Sequence, residues 1–393
     1  MTSLAVLAGV AVPLATAIPA VASDSPQNYR PYAYIANQGS NTVSVWNLGY
    51  SSDDPGFYTT IHVGEEPLGV AAAPVTRDHT GPDPYIYVTN AGSHSVSVIN
   101  PDTDTVIKTI DNVGEEPYGV AVSPDGSRVW VTNRDSNTVS VIDASTNTVI
   151  KTIKVGESPE GVAVSPDGTR VYVINSGPNS NNISEIDTGT DTVIKTIDNV
   201  GRNPHQVAFS DFGTAYVTAK GEVSVIDTSN NGTVTDHIPI DGDPYGVVTN
   251  PWASRWVYVT NTTTDKVSAI DLNSNTVAAN IPVGGPDAAS FGIAENPYTN
   301  AYPGVWVTNS GLNNVTRIST DSNRVWDTLS DDHFDHPVGV AITYLTHTDA
   351  TSNTSARRSS SEQRPPTSAQ SEPLGAAPAR AAGAAVPAGH HTR

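Results

Sequence analysis

The sequence predicts an all-β protein, a seven-bladed β-propeller of four-stranded antiparallel blades. Three observations predict it. The tetrapeptide Tyr-Val-Thr-Asn, or a close variant, begins at Tyr34, Tyr87, Trp130, Tyr172, Tyr216, Tyr258 and Trp306, in steps of 53, 43, 42, 44, 42 and 48 residues. A period of this size marks a stacked or radial repeat. Each repeat holds four short runs rich in β-branched residues, which is the content of a propeller blade. Finally, the first recognisable run is the second of its blade and the last is a first, so the two ends complete one blade together.

The unit PYGVAVSPDGSRVWVTNRDSNTVSVIDASTNTVIKTIKV, residues 117–155, shows the elements in order. Strand A covers Tyr118–Ser123, strand B Arg128–Asn133, strand C Thr138–Asp143 and strand D Thr148–Lys154. The linkers Ser-Pro-Asp-Gly, Arg-Asp-Ser-Asn and Ala-Ser-Thr-Asn are turn sequences. No run has helical spacing of apolar residues or a capping pattern. Strand A copies begin with Pro-x-Gly-Val-Ala at Pro67, Pro117, Pro159, Pro204 (as Pro-His-Gln-Val-Ala), Pro244 and Pro337, and Phe291-Gly292-Ile293-Ala294 is the seventh. Strand C copies start at Val43, Val96, Val139, Ile183, Val223, Val267 and Val315. Strand D copies end near Ile61, Ile110, Ile153, Ile197, Ile238, Ile281 and Leu329. The last strand A, Val338–Thr343, is expected to pair with the blade formed by Tyr34 to Val63. That closure removes two open edges.

These repeats resemble the YVTN-repeat β-propellers, known from surface-layer-like and secreted proteins. The resemblance covers about residues 30–346 in seven copies. It implies the propeller fold and an exported or cell-surface setting; it assigns no activity, because fold does not fix function.

Outside the repeats the composition changes. Ser3 to Ala22 is uncharged, rich in Ala, Val and Leu, and ends in Ala20-Val21-Ala22. It reads as a secretory signal peptide over residues 1–22, although no Lys or Arg precedes the apolar run. The alternative is an uncleaved anchor, which Pro13 and Pro19 disfavour. Residues 347–393 are Ser, Ala, Pro and Gly with five Arg, a composition expected to be disordered. The chain has no Cys and one Met, so stability rests on packing. It carries a net charge of −20, the tail contributing +2 and the remainder −22. This excludes nucleic-acid phosphate as a favoured partner. The expected partners are a cell-surface component, a glycan or a small molecule, with no membrane span after cleavage and a monomeric chain.

Strand direction assigns the loops. The D–A and B–C loops share one face, here face one; the A–B and C–D loops share face two. The Asn ending strand B lies on face one and reads first as a turn cap. The residue after the repeated Pro should ring the channel mouth: Leu68, Tyr118, Glu160, His205, Tyr245 and Val338, with Phe291 its counterpart in the irregular copy. The D–A loops add Glu65, Glu66, Glu115, Glu116, Glu157, Asp241, Asp243, Asp335 and His336. Such a funnel, with Tyr118, Tyr245, Phe291 and Gln206 on its wall, suits a sugar, a cation or a metal-assisted ligand. The plainer reading is that solvated carboxylates occupy turns.

Blade five departs from the pattern. Gln206 stands where the other copies have Gly, and Ala219 where most have Asn. Drift is the plainer reading, and the one favoured; the functional reading is that His205 and Gln206 act at the mouth. The second candidate is Asp331-Asp332-His333-Phe334-Asp335-His336. His333, His336 and Asp335 have the donor types for a divalent metal, the one cofactor these residues suggest; a solvated loop is the alternative. No Gly-x-Ser-x-Gly, phosphate-binding Gly loop, His-Glu-x-x-His or Cys nucleophile occurs. Virginiamycin B lyase and lactonase-type propellers are more distantly similar. That resemblance implies a metal-assisted site at the mouth, with His205 as base and Glu160 and His336 as metal ligands or acid. Two readings follow: a binding or scaffold module, and such an enzyme.

Overall fold

The computed structural model describes residues 29–48, 56–73, 85–210, 213–249, 255–285, 287–296 and 304–346. The signal peptide and the C-terminal tail expected above lie outside these residues.

Seven four-stranded antiparallel sheets form the seven blades. Blade 1 is β1 (Tyr29–Asn37), β2 (Thr42–Asn47) and β3 (Gly56–His62), completed by a strand from the other end of the chain. Blade 2 is β4 (Pro67–Ala72), β5 (Ile86–Asn90), β6 (Ser95–Asn100) and β7 (Thr105–Asp111). Blade 3 is β8 (Pro117–Val122), β9 (Arg128–Asn133), β10 (Thr138–Asp143) and β11 (Thr148–Lys154). Blade 4 is β12 (Pro159–Val164), β13 (Arg170–Asn175), β14 (Asn182–Asp187) and β15 (Thr192–Ile197). Blade 5 is β16 (Val207–Ser210), β17 (Thr214–Ala219), β18 (Glu222–Asp227) and β19 (Thr233–Pro239). Blade 6 is β20 (Pro244–Thr249), β21 (Trp256–Asn261), β22 (Lys266–Asp271) and β23 (Thr276–Pro282). Blade 7 is β24 (Ser290–Glu295), β25 (Gly304–Asn309), β26 (Asn314–Ser319) and β27 (Arg324–Ser330). The closing strand β28 (Pro337–Thr346) pairs with β1, from Tyr29↔Thr346 to Asn37↔Pro337. Sheet order β28-β1-β2-β3 is the closure expected from the offset of strand types.

The core is divided among seven seams, one between each pair of neighbouring blades. Val129, Val131 and Ile142 of blade 3 pack on Tyr87, Val96 and Val98 of blade 2, and this arrangement recurs around the ring. The seam joining blades 7 and 1 is aromatic: Trp306 of blade 7 meets Trp46 and Phe334, the last two stacked at 5.1 Å.

The repeated tetrapeptide supplies these seams. Its Tyr hydroxyl reaches the C–D loop of the next blade: Tyr34 to Asp104, Tyr87 to Asn147 and Tyr216 to Asn275, each at 3.0 Å. Its Thr hydroxyl donates to the next blade's strand A carbonyl: Thr89 to Tyr118, Thr132 to Glu160 and Thr308 to Val338, each at 2.7 Å. Its Asn side chain turns inward and donates to strand C, Asn90 to Ser95 and Ser97, Asn309 to Asn314 and Thr316. The tetrapeptide is scaffold. The Ser-Pro-Asp-Gly segments are turns as expected: Asp125 accepts from the Ser127 N–H at 3.0 Å, and Gly126 has φ 71°.

Every strand D carries a bulge at one place in its pairing with strand C, where the register skips one residue of D. In blades 2, 3, 4 and 7 that residue is Ile107, Ile150, Ile194 and Trp326, each 45–49% exposed.

Candidate functional site

Face one is organised by the turns before strand A. The residue ahead of the repeated Pro is held at positive φ in Glu66, Glu116, Ser158, Asn203 and His336. Its N–H donates to a side chain of the preceding blade's B–C loop: Glu66 to Asn41, Glu116 to His94, Ser158 to Asn137 and His336 to Asn313. Glu66, Glu116 and His336 therefore occupy turn positions set by the repeat. This favours the plainer reading of those acidic loops.

Strand A then directs the next residue into the mouth. Tyr118 of blade 3 and Tyr245 of blade 6 meet hydroxyl to hydroxyl across the channel. They form a bar over it. The Tyr245 ring is flanked by His205 at 4.6 Å and by the edge of Phe291 at 5.0 Å. Burial pushes the Tyr118 hydroxyl up to about 12, with the Glu160 charge adding to the shift. Burial raises Tyr245 further, with Tyr118 and Glu160 contributing. Both phenols stay protonated at physiological pH.

Glu160 and His205 are brought together as a pair, with His205 Nδ1 2.9 Å from Glu160 Oε2. On its other side, His205 Nε2 lies 3.5 Å from Asp243 Oδ1, and these two buried atoms form no hydrogen bond. Arg134 closes the network. Its guanidinium lies 3.0 Å from Glu116 and 3.8 Å from Glu160, over the Tyr118 ring at 5.6 Å. Burial alone would lower the His205 pKa. The hydrogen bond to Glu160 and the charges of Glu160 and Asp243 outweigh it, and the net shift is upward.

A raised value gives a signed prediction. Stability from the His205 pair is fully present below the ordinary histidine value near 6.5. It is lost as pH rises through the folded value. Wild type should exceed Glu160→Gln in unfolding free energy by on the order of 1 kcal/mol near pH 6, and the gap should narrow by pH 9. Urea melts at both values check this; a gap that widens with pH would contradict the pairing.

Sequence reasoning missed Arg134 and the partnership of Asp243 with His205. One signal was available. The residue following the last residue of strand B is Gln38, Ala91, Arg134, Ser176, Lys220, Thr262 or Ser310, and Arg134 and Lys220 are the charged exceptions.

Gln206 lines the channel beneath the bar. Its N–H and carbonyl bond to Thr218, which leaves the side-chain amide as the group it presents. The expected strand start at Pro204 is not seen. Strand β16 begins at Val207, and the Pro-to-Asn pairing of other blades has no counterpart where Ala219 replaces Asn. The channel here is a cavity of about 160 Å³.

The His-Asp loop is placed differently from its expected metal role. Phe334, between the two histidines, is buried in the seam of blades 7 and 1. His333 stacks on Phe57 at 3.6 Å and pairs with Asp331. His336 pairs with Asp335 at 2.9 Å. Anchoring Phe334 sends the two imidazoles to separate partners. Among the described residues no group of three or more His, Cys, Asp or Glu side chains is gathered to hold a metal. His333 and His336 thus have different carboxylate partners, Asp331 and Asp335.

Comparison with known proteins agrees with this architecture. Residues 81–212, a third of the chain, match the Cytochrome D1 heme domain. No curated protein sequence matches the chain. Among solved structures, hydrazine synthase from Kuenenia stuttgartiensis is 21% identical with a TM-score of 0.59, covering 76% of this chain and 92% of that one. Virginiamycin B lyase from Staphylococcus aureus is 16% identical with a TM-score of 0.57, covering 82% and 97%. AztD from Citrobacter koseri is 13% identical with a TM-score of 0.53, covering 80% and 98%. At these identities the likeness is one of fold. The chain is a seven-bladed β-propeller.

Proposed function

We propose that this propeller is a secreted or cell-surface binding module that works as a monomer through its D–A and B–C loop face. The resemblance of its repeats to YVTN-repeat propellers supports the setting. One observation carries the binding role. The mouth is a fixed surface in which Glu116, Arg134, Glu160, His205 and Asp243 are matched with one another around two protonated tyrosines. His205 Nδ1 is held by Glu160, while its Nε2 faces Asp243 without a hydrogen bond. Arg134, 40% exposed beside Tyr118, is the kind of anchor that dominates binding surfaces. A cell-surface component or glycan is the partner class this face suits.

The alternative is a metal-assisted lyase or lactonase. Its support is the shared fold of virginiamycin B lyase and the gap between His205 Nε2 and Asp243 Oδ1. That gap offers two protein ligands, fewer than the three or four that metal sites use. Nor does a tetrapyrrole fit, since cofactor pockets run to about 300–1,000 Å³.

The test is sedimentation of the full chain with isolated cell-wall peptidoglycan and envelope polysaccharides. Arg134→Ala should weaken binding by about tenfold or more while keeping the wild-type melting temperature. Magnesium, calcium, zinc and copper should leave that temperature unmoved relative to EDTA. Absence of binding would end the module reading. A metal-induced rise that His205→Ala abolishes would favour the enzyme.

A further inference from the structure

Six blades place Gly third in strand A, and the structure shows why. A Cβ on Gly69, Gly119, Gly246, Gly292 or Gly339 would lie 2.0–2.5 Å from the next blade's carbonyl oxygen, and one on Gly161 would lie 2.5 Å from that of His205. The inner strands approach so closely that only a hydrogen fits. Blade 5 escapes this restriction because its strand A starts late, and there the chain carries Gln206. Its side-chain oxygen sits beside Gly161, and the residue lines the channel.

The cavity is walled by aliphatic residues such as Leu68, Val70, Val120 and Ile293, and by strand backbone. Among the described residues no charged one lines it. Glu160 and His205 stand beside it, held to each other. The Tyr118–Tyr245 bar crosses the face-one end. One phenol donates to the other, so a single hydroxyl hydrogen remains for an occupant. The amide of Gln206 adds an acceptor and two donors. A charged occupant would be stripped of water with no ionic partner, at high cost. The volume is close to that of cavities that hold one six-membered ring.

The geometry points to a binding site in this channel for a small uncharged molecule, about one ring in size, carrying an amide or hydroxyl read by Gln206. The inference deepens the binding-module reading and rests on it: the mouth recognises a larger partner class, and the channel beneath takes a neutral polar group. Entry from face one requires the two tyrosines to part, because their hydroxyls touch across that end.

The test uses the full chain with benzamide and phenol as probes, followed by ligand-observed NMR and calorimetry. Benzamide should bind, while benzoate and benzylammonium should not. Gln206→Gly, which restores the residue of the other blades, should raise the Kd by about threefold to tenfold. Gln206→Met keeps the side-chain length, removes the hydrogen bonds, and should do the same if the glycine variant folds poorly. Tyr118→Phe, which breaks the bar, should speed association. No binding by either probe, binding unchanged in both Gln206 variants, or equal binding of benzoate would overturn the proposal. Probe failure with wild-type sedimentation intact rejects the channel site alone; sedimentation failure with benzamide bound rejects the module reading instead.

Discussion

A chain ending at Asp335 should lose cooperative folding of the ring, not one blade of it. The deleted strand β28 pairs with β1 along eight register positions. Val340 belongs to the aromatic seam of blades 7 and 1. The Val338 carbonyl accepts from Thr308 of blade 7, and Gly339 abuts the Leu68 carbonyl of blade 2. One strand thus connects three blades. Its removal opens the ring, exposes the edge of β1 and uncovers Trp46 and Trp306. A loss of several kcal/mol corresponds to a fall of on the order of 10–20 °C in melting temperature. Calorimetry and near-ultraviolet circular dichroism measure it. A synthetic peptide of residues 337–346 should restore part of the transition. A truncated chain that melts at the wild-type temperature would refute closure through β28.

The second large effect concerns the channel wall. In Gly292→Ala the added methyl would lie 2.0 Å from the Val338 carbonyl oxygen and 2.9 Å from Thr308 Oγ1. Both neighbours are fixed by the bond between them, so relief requires blades 7 and 1 to separate. Ordinary overpacking costs about 1–3 kcal/mol; this site should reach or exceed the top of that range. Gly56→Ala is the control, since nothing lies within 4 Å of its added methyl. It should be neutral or slightly stabilising. Equal melting temperatures for the two variants would mean that the inner strands are not held as closely as described.

How much of this the sequence disclosed follows from where each interaction lies. Blade count, strand order and closure were legible because every repeat solves the same seam problem with the same residues. Tyr34, Thr89 and Asn90 reach fixed offsets in the neighbouring or same blade, and fixed offsets appear as periodicity. The mouth contacts do not repeat. Tyr118 and Tyr245 are separated by 127 positions and meet only because they face each other across the ring. Arg134 acts on Glu160 of the next blade, and no motif spacing encodes that distance. The His-Asp loop is the opposite case. Its spacing is visible, but the residue that decides its conformation is Phe334, an apolar anchor between the histidines. Departure from the repeat marks a different kind of position: His205 and Gln206 break the pattern, and both stand at the channel.

The bulge in each strand D carries a consequence for how such a chain survives crowding. A ring of blades presents its outermost strands to every neighbour, and a straight outermost strand invites another copy to continue the sheet. Here the interruption recurs at one position in all seven. It recurs with the repeat, so each blade carries the same protection. At high concentration, these molecules can touch rim to rim through Ile107, Ile150 or Trp326 without merging their sheets.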